Sequence, residues 1–346
     1  MTLGKIAFLG SGETSLAGGR IFESLVRDLK EPLRIALMET PAGFELNSAQ
    51  VVGRVGEFMA TRLGNYKPTV DIIAARKKDS PFSPDDPEII KPLLYSNMIF
   101  MGPGSPTYAI RHLKDTLAWD VIRARHRLGA TLIFASAATI SVGAHALPVY
   151  EVYKVGQDMH VVDGLNFFRD FGLHLSFIPH WNNADGGIDL DTSRCFVGMD
   201  RFAEWCKHVP DENTTVGLDE HTGIILDFEK GKCEVSGVSS ISLVRDCDPE
   251  PEMHSSGTTF DLKKLGDIQI PNPVDKNIPP NVWDMVCNVP PLEDAPPSEV
   301  VALAEKRYQA RTNKQWNESD QLRDEIAARG WTVQDSKEGY RLVKIG

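Results

Sequence analysis

Short apolar runs recur along the first 136 residues: KIAFLG (5–10), RIALME (34–39), TVDIIAA (69–75), NMIFMG (97–102) and ATLIFAS (130–136). Stretches long enough for a helix lie between them. A strand with one wet face alternates apolar and polar residues, and these runs do not, so both of their faces are to be buried. Strands of that kind, separated by helices, predict the α/β class: a doubly wound, mostly parallel sheet covered on both sides. Ligands of such sheets gather at the carboxyl ends of the strands. The residues just after each run are therefore the place to look for chemistry.

A chain of 346 residues with 42% hydrophobic composition can bury a sizeable core and carry a smaller attachment. Lys and Arg number 37 against 48 Asp and Glu, a net charge of −11. That balance opposes general attraction to a phosphate backbone or an anionic membrane. The five cysteines never form a C-x-x-C pair and read as reduced thiols, with neither a disulfide framework nor a zinc knuckle. MTLGKIAFLG enters an apolar run without a charged leader, and no apolar segment reaches membrane-spanning length. The expectation is a cytoplasmic protein with no metal or other cofactor.

Beyond Ser136 the pattern is more mixed. TTVGLDEHTGIILDFEKGKCEVSGVSSISLVRD (214–246) reads as short strands around a turn at Glu229–Lys232, an antiparallel extension finishing the sheet. Residues 249–297 hold 10 of the 22 prolines, which breaks helices and central strands. The domains expected are 1–247, a proline-rich linker or wrapping arm over 248–297, and a unit over 298–346. That last unit reads as two helices, the second capped by Asn317 and closed by Gly330, followed by a hairpin.

Three strand ends carry candidate chemistry. GSGETS (10–15) begins like a dinucleotide loop but has Ser15 where the third glycine would fall and Glu13 where a pyrophosphate would sit. It reads better as a tight turn with close backbone approach. MGPGSPTYAIRHL (101–113) lacks the Gly-Lys-Ser/Thr of a phosphate cradle, and Pro103 and Pro106 remove two amides. One or two free amides near Gly104 would still serve as oxyanion donors. The third, LIFASAATISVG (132–143), places Ser136 between a buried strand and a helix. Ser136 is either a helix cap or a nucleophile lifted on a sharp turn. A nucleophile needs a base. His145 falls on the wrong side of the following helix, whereas His180 in FIPHWNNADGG (177–187) again follows an apolar strand; His221 in DEHTG is a weaker candidate.

Taken in order, GSGE, METPAG, MGPGSPTYAI, FASAA, PVYEVYKVG, IPHWNN and VGLDEHTGIILD resemble the serine peptidase family that contains dipeptidase E and cyanophycinase, over residues 4–246. The resemblance implies a class I glutamine amidotransferase-like fold with a serine on the nucleophile elbow. It implies Ser136 as nucleophile, His180 as general base, and the amides of Gly104 and Ala137 as oxyanion hole. The acid would be Glu151, with Asn182 as the alternative partner orienting the imidazole; Asp219 and Glu220 read as structural or pocket-edge. Phe134 and Ala138 stand where the family usually has glycine. The function implied is hydrolysis of peptide or isopeptide bonds in small, acidic substrates through an acyl-enzyme. The alternative is a catalytically inactive binding or scaffold protein on the same fold, and a homo-oligomer is compatible with either.

RYQARTNKQWNESDQLRDEIAARGWTVQDSKEG (307–339) resembles the C-terminal extension of cysteinyl-tRNA synthetases, through Arg307, Arg311, Lys314, Trp316, Asp320, Arg323, Gly330 and Asp335 among others. The synthetase signatures His-Ile-Gly-His and Lys-Met-Ser-Lys-Ser are absent from this sequence, so aminoacylation is not expected. Residues 297–346 are nearly neutral in charge, which favours packing or assembly over tRNA contact for this segment.

Overall fold

The computed structural model describes residues 2–29, 32–272, 274, 277–290, 296–336 and 339–345. It divides into two units, Met1–Val289 and Pro290–Gly346.

The five apolar runs form strands β1 (Ile6–Leu9), β2 (Arg34–Met38), β3 (Thr69–Ile73), β4 (Met98–Met101) and β5 (Thr131–Ala135). They are parallel, in the order β1-β5-β4-β2-β3. Residue alternation explains the unbroken hydrophobicity. Ile6, Phe8, Leu132 and Phe134 enter one core, and Ala7, Leu9, Ile133 and Ala135 enter the other. Helices Leu16–Val26 and Ser48–Arg62 contribute to the second core. Helices Pro106–Leu113 and Leu117–Arg127 contribute to the first. In the register Leu9 lies opposite Ala135, and Met101 opposite Phe134, so the residues after β1, β4 and β5 arrive together at one edge.

Next come the short pair β6 (His145–Ala146) and β7 (Val162–Asp163), then β8 (Leu175–Ile178), β9 (Thr214–Leu218), β10 (Thr222–Asp227), β11 (Lys232–Gly237) and β12 (Ser240–Val244). The expected single antiparallel extension is divided between two sheets. β10 pairs antiparallel with β1 and β11 with β10, extending the main sheet, while β9 and β12 join β8 in a second sheet. The switch is made at Asp219–His221. Asp219 is buried and its carboxylate accepts from Ser239 Oγ at 2.6 Å, Ser240 N at 3.2 Å and Ser240 Oγ at 3.0 Å. His221 takes the left-handed conformation, φ +55°, that lets the chain turn so sharply.

The proline-dense stretch is partly ordered into this unit. β13 (Glu252–Ser255) pairs with β12, β14 (Thr259–Asp261) pairs with β11, and helix Pro280–Cys287 starts on a proline at its first position, where no amide is needed. Val282, Trp283 and Val286 from that helix are buried in the first core.

The second unit consists of helices Ser298–Thr312 and Trp316–Ala328 followed by the hairpin β15 (Trp331–Ser336) and β16 (Gly339–Lys344). Its core is small: Val300, Ala304, Ile326 and Trp331. A bidentate ion pair adds to it, Arg307 to Asp335 at 2.8 and 2.9 Å, with the arginine buried. Hydrogen bonds from Arg307 hold the Asp335 carboxyl below the usual range. Asn317 is not the cap expected: the helix already begins at Trp316, so Asn317 lies in its first turn. Gly330, φ +79°, follows the helix end as expected.

Candidate active site

Ser136 occupies the turn between β5 and helix Ala137–Ser141, with φ +51° and ψ −119°. A non-glycine residue held there costs on the order of 1–3 kcal/mol and persists only when its surroundings impose it. They do: Ser136 N donates to Leu9 O at 3.4 Å, and Ala138 N to Gly102 O at 3.2 Å. The turn is thus pinned to the ends of both neighbouring strands, β1 and β4. The cap reading of Ser136 is not what the structure holds, because its hydroxyl makes no capping bond to the helix. Ser136 Oγ lies 3.2 Å from His180 Nε2 instead. Phe134 does not crowd the turn. Its ring is buried in the opposite direction, stacked on Phe8 at 5.4 Å.

His180 follows β8 and is itself left-handed, φ +50°. Its amide donates to Gly10 O at 3.1 Å, and its carbonyl accepts from Cys195 N at 3.1 Å. Gly10 is the meeting point: a Cβ there would lie 2.2 Å from the Asp219 carbonyl oxygen, so no other residue lets β1 end so close to the corner between the sheets. This is the tight turn expected of the first glycine loop. Ser15 caps the next helix through Gly18 N.

That corner supplies the acid. His180 Nδ1 is 2.9 Å from Glu220 Oε1, which also accepts from Asn183 Nδ2 at 3.0 Å. The Glu220 amide donates to Asn182 Oδ1 at 2.8 Å. Partial burial works against ionisation of Glu220, but hydrogen bonds from Asn183 and His180 outweigh it and hold the carboxyl below its usual range. With the proton on Nδ1 directed at Glu220, Nε2 is left free to accept from Ser136.

Ser136, His180, Gly104 and Ala137 are therefore brought together, and Glu151 and Asn182 are not placed as expected. Glu151 Oε1 accepts from Thr107 Oγ1 at 2.6 Å rather than facing His180. It sits on helix Val149–Tyr153. Asn182 orients the Glu220 backbone, not the imidazole, because its side chain points to the corner between the sheets. The sequence reading took Glu220 as structural or pocket-edge and did not single out Asn183. The available signal was the chain order serine, histidine, then a carboxylate in a loop directly after a buried strand.

The amides of Gly104 and Ala137 make no hydrogen bond among the described residues, and both residues border the cavity that contains Ser136. Gly104 has φ +147°, and a Cβ on it would stand 1.9 Å from the Pro41 carbonyl oxygen, so glycine is required for this close approach. His145 lies in β6, outside that cavity. The cysteines are unpaired thiols. Among the described residues no cluster of His, Cys, Asp and Glu is placed to hold a metal ion, and no helix is long and apolar enough to cross a membrane.

Compared with solved structures, the chain is similar to a peptidase from an acI-B1 Actinobacterium, with a TM-score of 0.60 and 18% identity, covering 75% of this chain and 97% of that one. A putative peptidase E protein from Listeria monocytogenes aligns less closely, with a TM-score of 0.43 and 15% identity over 73% of this chain and 98% of that one. Residues 294–340 match the family of the cysteinyl-tRNA ligase anticodon binding domain. The cysteine–tRNA ligase of Chlamydia muridarum is 43% identical over 63 residues, 18% of this chain and 13% of the ligase. That of Opitutus terrae is 54% identical over 46 residues, 13% of this chain and 10% of the ligase. The chain thus spans only a small part of the length of these curated relatives. It combines the fold of a peptidase with a C-terminal segment similar to the anticodon binding domain of cysteinyl-tRNA ligases.

Proposed function

We propose that the protein is a serine hydrolase that cleaves an amide bond through an acyl-enzyme on Ser136. The observation that carries this reading is the unbroken chain from Ser136 Oγ to His180 at 3.2 Å and from His180 to Glu220 at 2.9 Å, on a left-handed serine. His180 Nε2 takes the hydroxyl proton as Oγ attacks the carbonyl carbon. The oxygen of that carbonyl gains charge, which the amides of Gly104 and Ala137 stabilise. The C–N bond then breaks, and His180 returns the proton to the leaving amine. Water, deprotonated by His180, attacks the acyl carbon and frees Ser136 with a carboxylic acid product. Glu220 holds the imidazole in the required tautomer and offsets its charge.

A fluorophosphonate probe tests this on the intact protein. Incubation is expected to add one phosphonyl group, located by mass spectrometry to the peptide containing Ser136. An unmodified protein, or an adduct elsewhere, ends the proposal.

A second reading concerns the tail and rests on the match of residues 294–340 to an anticodon binding domain. Arg311, Lys314, Trp316 and Arg323 are exposed; the Arg311 guanidinium lies 6.0 Å from the centre of the Trp316 ring and also pairs with Asp335 at 3.4 Å. A cation beside an open aromatic face is suited to a phosphate next to an unstacked base. The full chain is expected to retain tRNA on a filter at low salt, and a chain lacking residues 290–346 is not. Equal retention by both would remove the tail from this role.

A further inference from the structure

Helix Met199–Cys206 ends on a cysteine, and a second cysteine, Cys247, follows shortly after the end of β12. Both border one narrow crevice, together with Val209, Asn213, Thr215 and Val244. Its volume of about 20 Å³ leaves room for roughly one water-sized molecule. The two thiols lie beside each other there, hydrogen-bonded as a pair. Cys206 is buried and Cys247 is exposed.

The backbone brings Cys247 to this place against its own preference. Asp248 N donates to Arg245 O at 2.9 Å, closing a turn whose two central residues, Asp246 and Cys247, are left-handed at φ +51° and +56°. That is the type I′ arrangement, whose second central position ordinarily takes glycine. Here it carries a Cβ, and the sulfur beyond that Cβ meets another thiol.

Exposure makes Cys247 the first of the pair to meet an oxidant. Its sulfur attacks one oxygen of hydrogen peroxide, the O–O bond breaks, and the thiol proton leaves with the released hydroxide as water, giving a sulfenic acid. The Cys206 sulfur then attacks the sulfenic sulfur; the S–O bond breaks, and hydroxide leaves with the Cys206 proton as a second water. The two thiols have lost two electrons and the peroxide has gained them. Burial first, and then the neighbouring Cys247, push the Cys206 thiol up to about 12, so it stays protonated and does not react with peroxide by itself. Contact lets it act second, because the sulfenic acid forms within its reach.

We propose that Cys206 and Cys247 form a dithiol that hydrogen peroxide closes to an intrachain disulfide, tying the end of helix Met199–Cys206 to the end of β12. The tie anchors the helix that packs beneath the base: the Phe202 ring lies 5.9 Å from Trp205 and 5.0 Å from Trp181, the neighbour of His180. It does not depend on Ser136 being a nucleophile.

The full chain is treated with peroxide until Cys287, which is exposed as well, no longer alkylates; remaining thiols are then blocked and the protein is digested without reductant. The peptides of Cys206 and Cys247 are expected to be recovered joined, lighter than their sum by two hydrogen atoms, and to separate on reduction. Recovery of both as alkylated thiols, or of Cys247 bonded to Cys287 or to a second chain, overturns the proposal. Dimedone, which traps sulfenic acids, tests the order of events. Cys206→Ser is expected to accumulate the adduct at Cys247 about tenfold over the parent, in which Cys206 competes for it; equal trapping overturns the proposal. Cys247→Ser, at an exposed position, serves where the Cys206→Ser change upsets folding. Its Cys206 is expected to survive peroxide and to alkylate after unfolding, and an oxidised Cys206 there overturns the order given. The oxidised parent is expected to melt about 2–4 °C above the reduced parent, with no such difference in Cys247→Ser. A cross-linked protein with an unchanged Tm overturns the tie.

Discussion

Glu220→Gln is expected to slow acylation of Ser136 by about 10³–10⁴-fold, while Glu151→Gln changes it little. Glu220 Oε1 faces His180 Nδ1 at 2.9 Å and is held from its other side by Asn183 at 3.0 Å. A glutamine of the same shape can present its amide group to Nδ1. The imidazole then carries its proton on Nε2, and it can no longer accept one from Ser136. The carboxylate charge that would offset the imidazolium formed during attack is lost as well. Glu151, bound to Thr107, has no comparable connection to the base. Rates of fluorophosphonate labelling for the two variants, with circular dichroism to verify folding, decide the matter. Normal labelling of Glu220→Gln together with loss of labelling in Glu151→Gln would return the acid's role to Glu151.

The difference between these two carboxylates shows how far the sequence could be read. Buried strands carry their own signature, since Ile6 to Leu9 and Thr131 to Ala135 show no polar alternation and bury both faces. From these strands the parallel sheet follows, and with it the edge at which Ser136 and Gly104 meet. His180 was legible for the same reason, as a polar residue two positions after the buried run Leu175–Ile178. The acid was not, because its position depends on a change of sheet. Read as a simple antiparallel extension, 214–246 keeps Glu220 at a distance from the serine. What brings it in is local: the buried Asp219 held by Ser239 and Ser240, the left-handed His221, and the close approach of Gly10. Serine at a strand end was likewise ambiguous. A cap and a nucleophile share the same neighbours in sequence and differ in one backbone angle, positive for Ser136. Phe134 illustrates the converse. It stands where the resembled family usually has glycine, and alternation along β5 directs it into the core with Phe8 and away from the hydroxyl.

The largest effect expected on stability comes from His126, through acid. This histidine lies in helix Leu117–Arg127 and is fully buried, with its Nε2 2.8 Å from Gly4 O. Its ring meets Phe167 at 5.3 Å and Phe228 at 5.5 Å edge to face, and Nδ1 has no partner among the described residues. Burial, reinforced by the charge of Arg127, pushes its pKa down to about 3, against the single opposing hydrogen bond to Gly4. In the folded state the imidazole is therefore neutral and donates from Nε2, while the unfolded chain binds a proton near pH 6.5. The unfolded state gains protons first as pH falls. Stability supplied by neutral His126 is complete above that pH and is lost as the pH drops toward the folded value. At about 1.4 kcal/mol per pH unit the loss by pH 4.5 is roughly 2–3 kcal/mol. His112 and His145, lowered first by burial, add with the same sign. Glutamine at position 126 can still donate to Gly4 but cannot titrate. Urea denaturation at pH 7.5 and 4.5 is expected to find His126→Gln less stable than the parent at the higher pH, because the ring contacts are gone. Its further loss at the lower pH should be smaller than the parent's by about 2–3 kcal/mol. An equal fall in both proteins would mean that protonation of this histidine is not what destabilises the fold in acid.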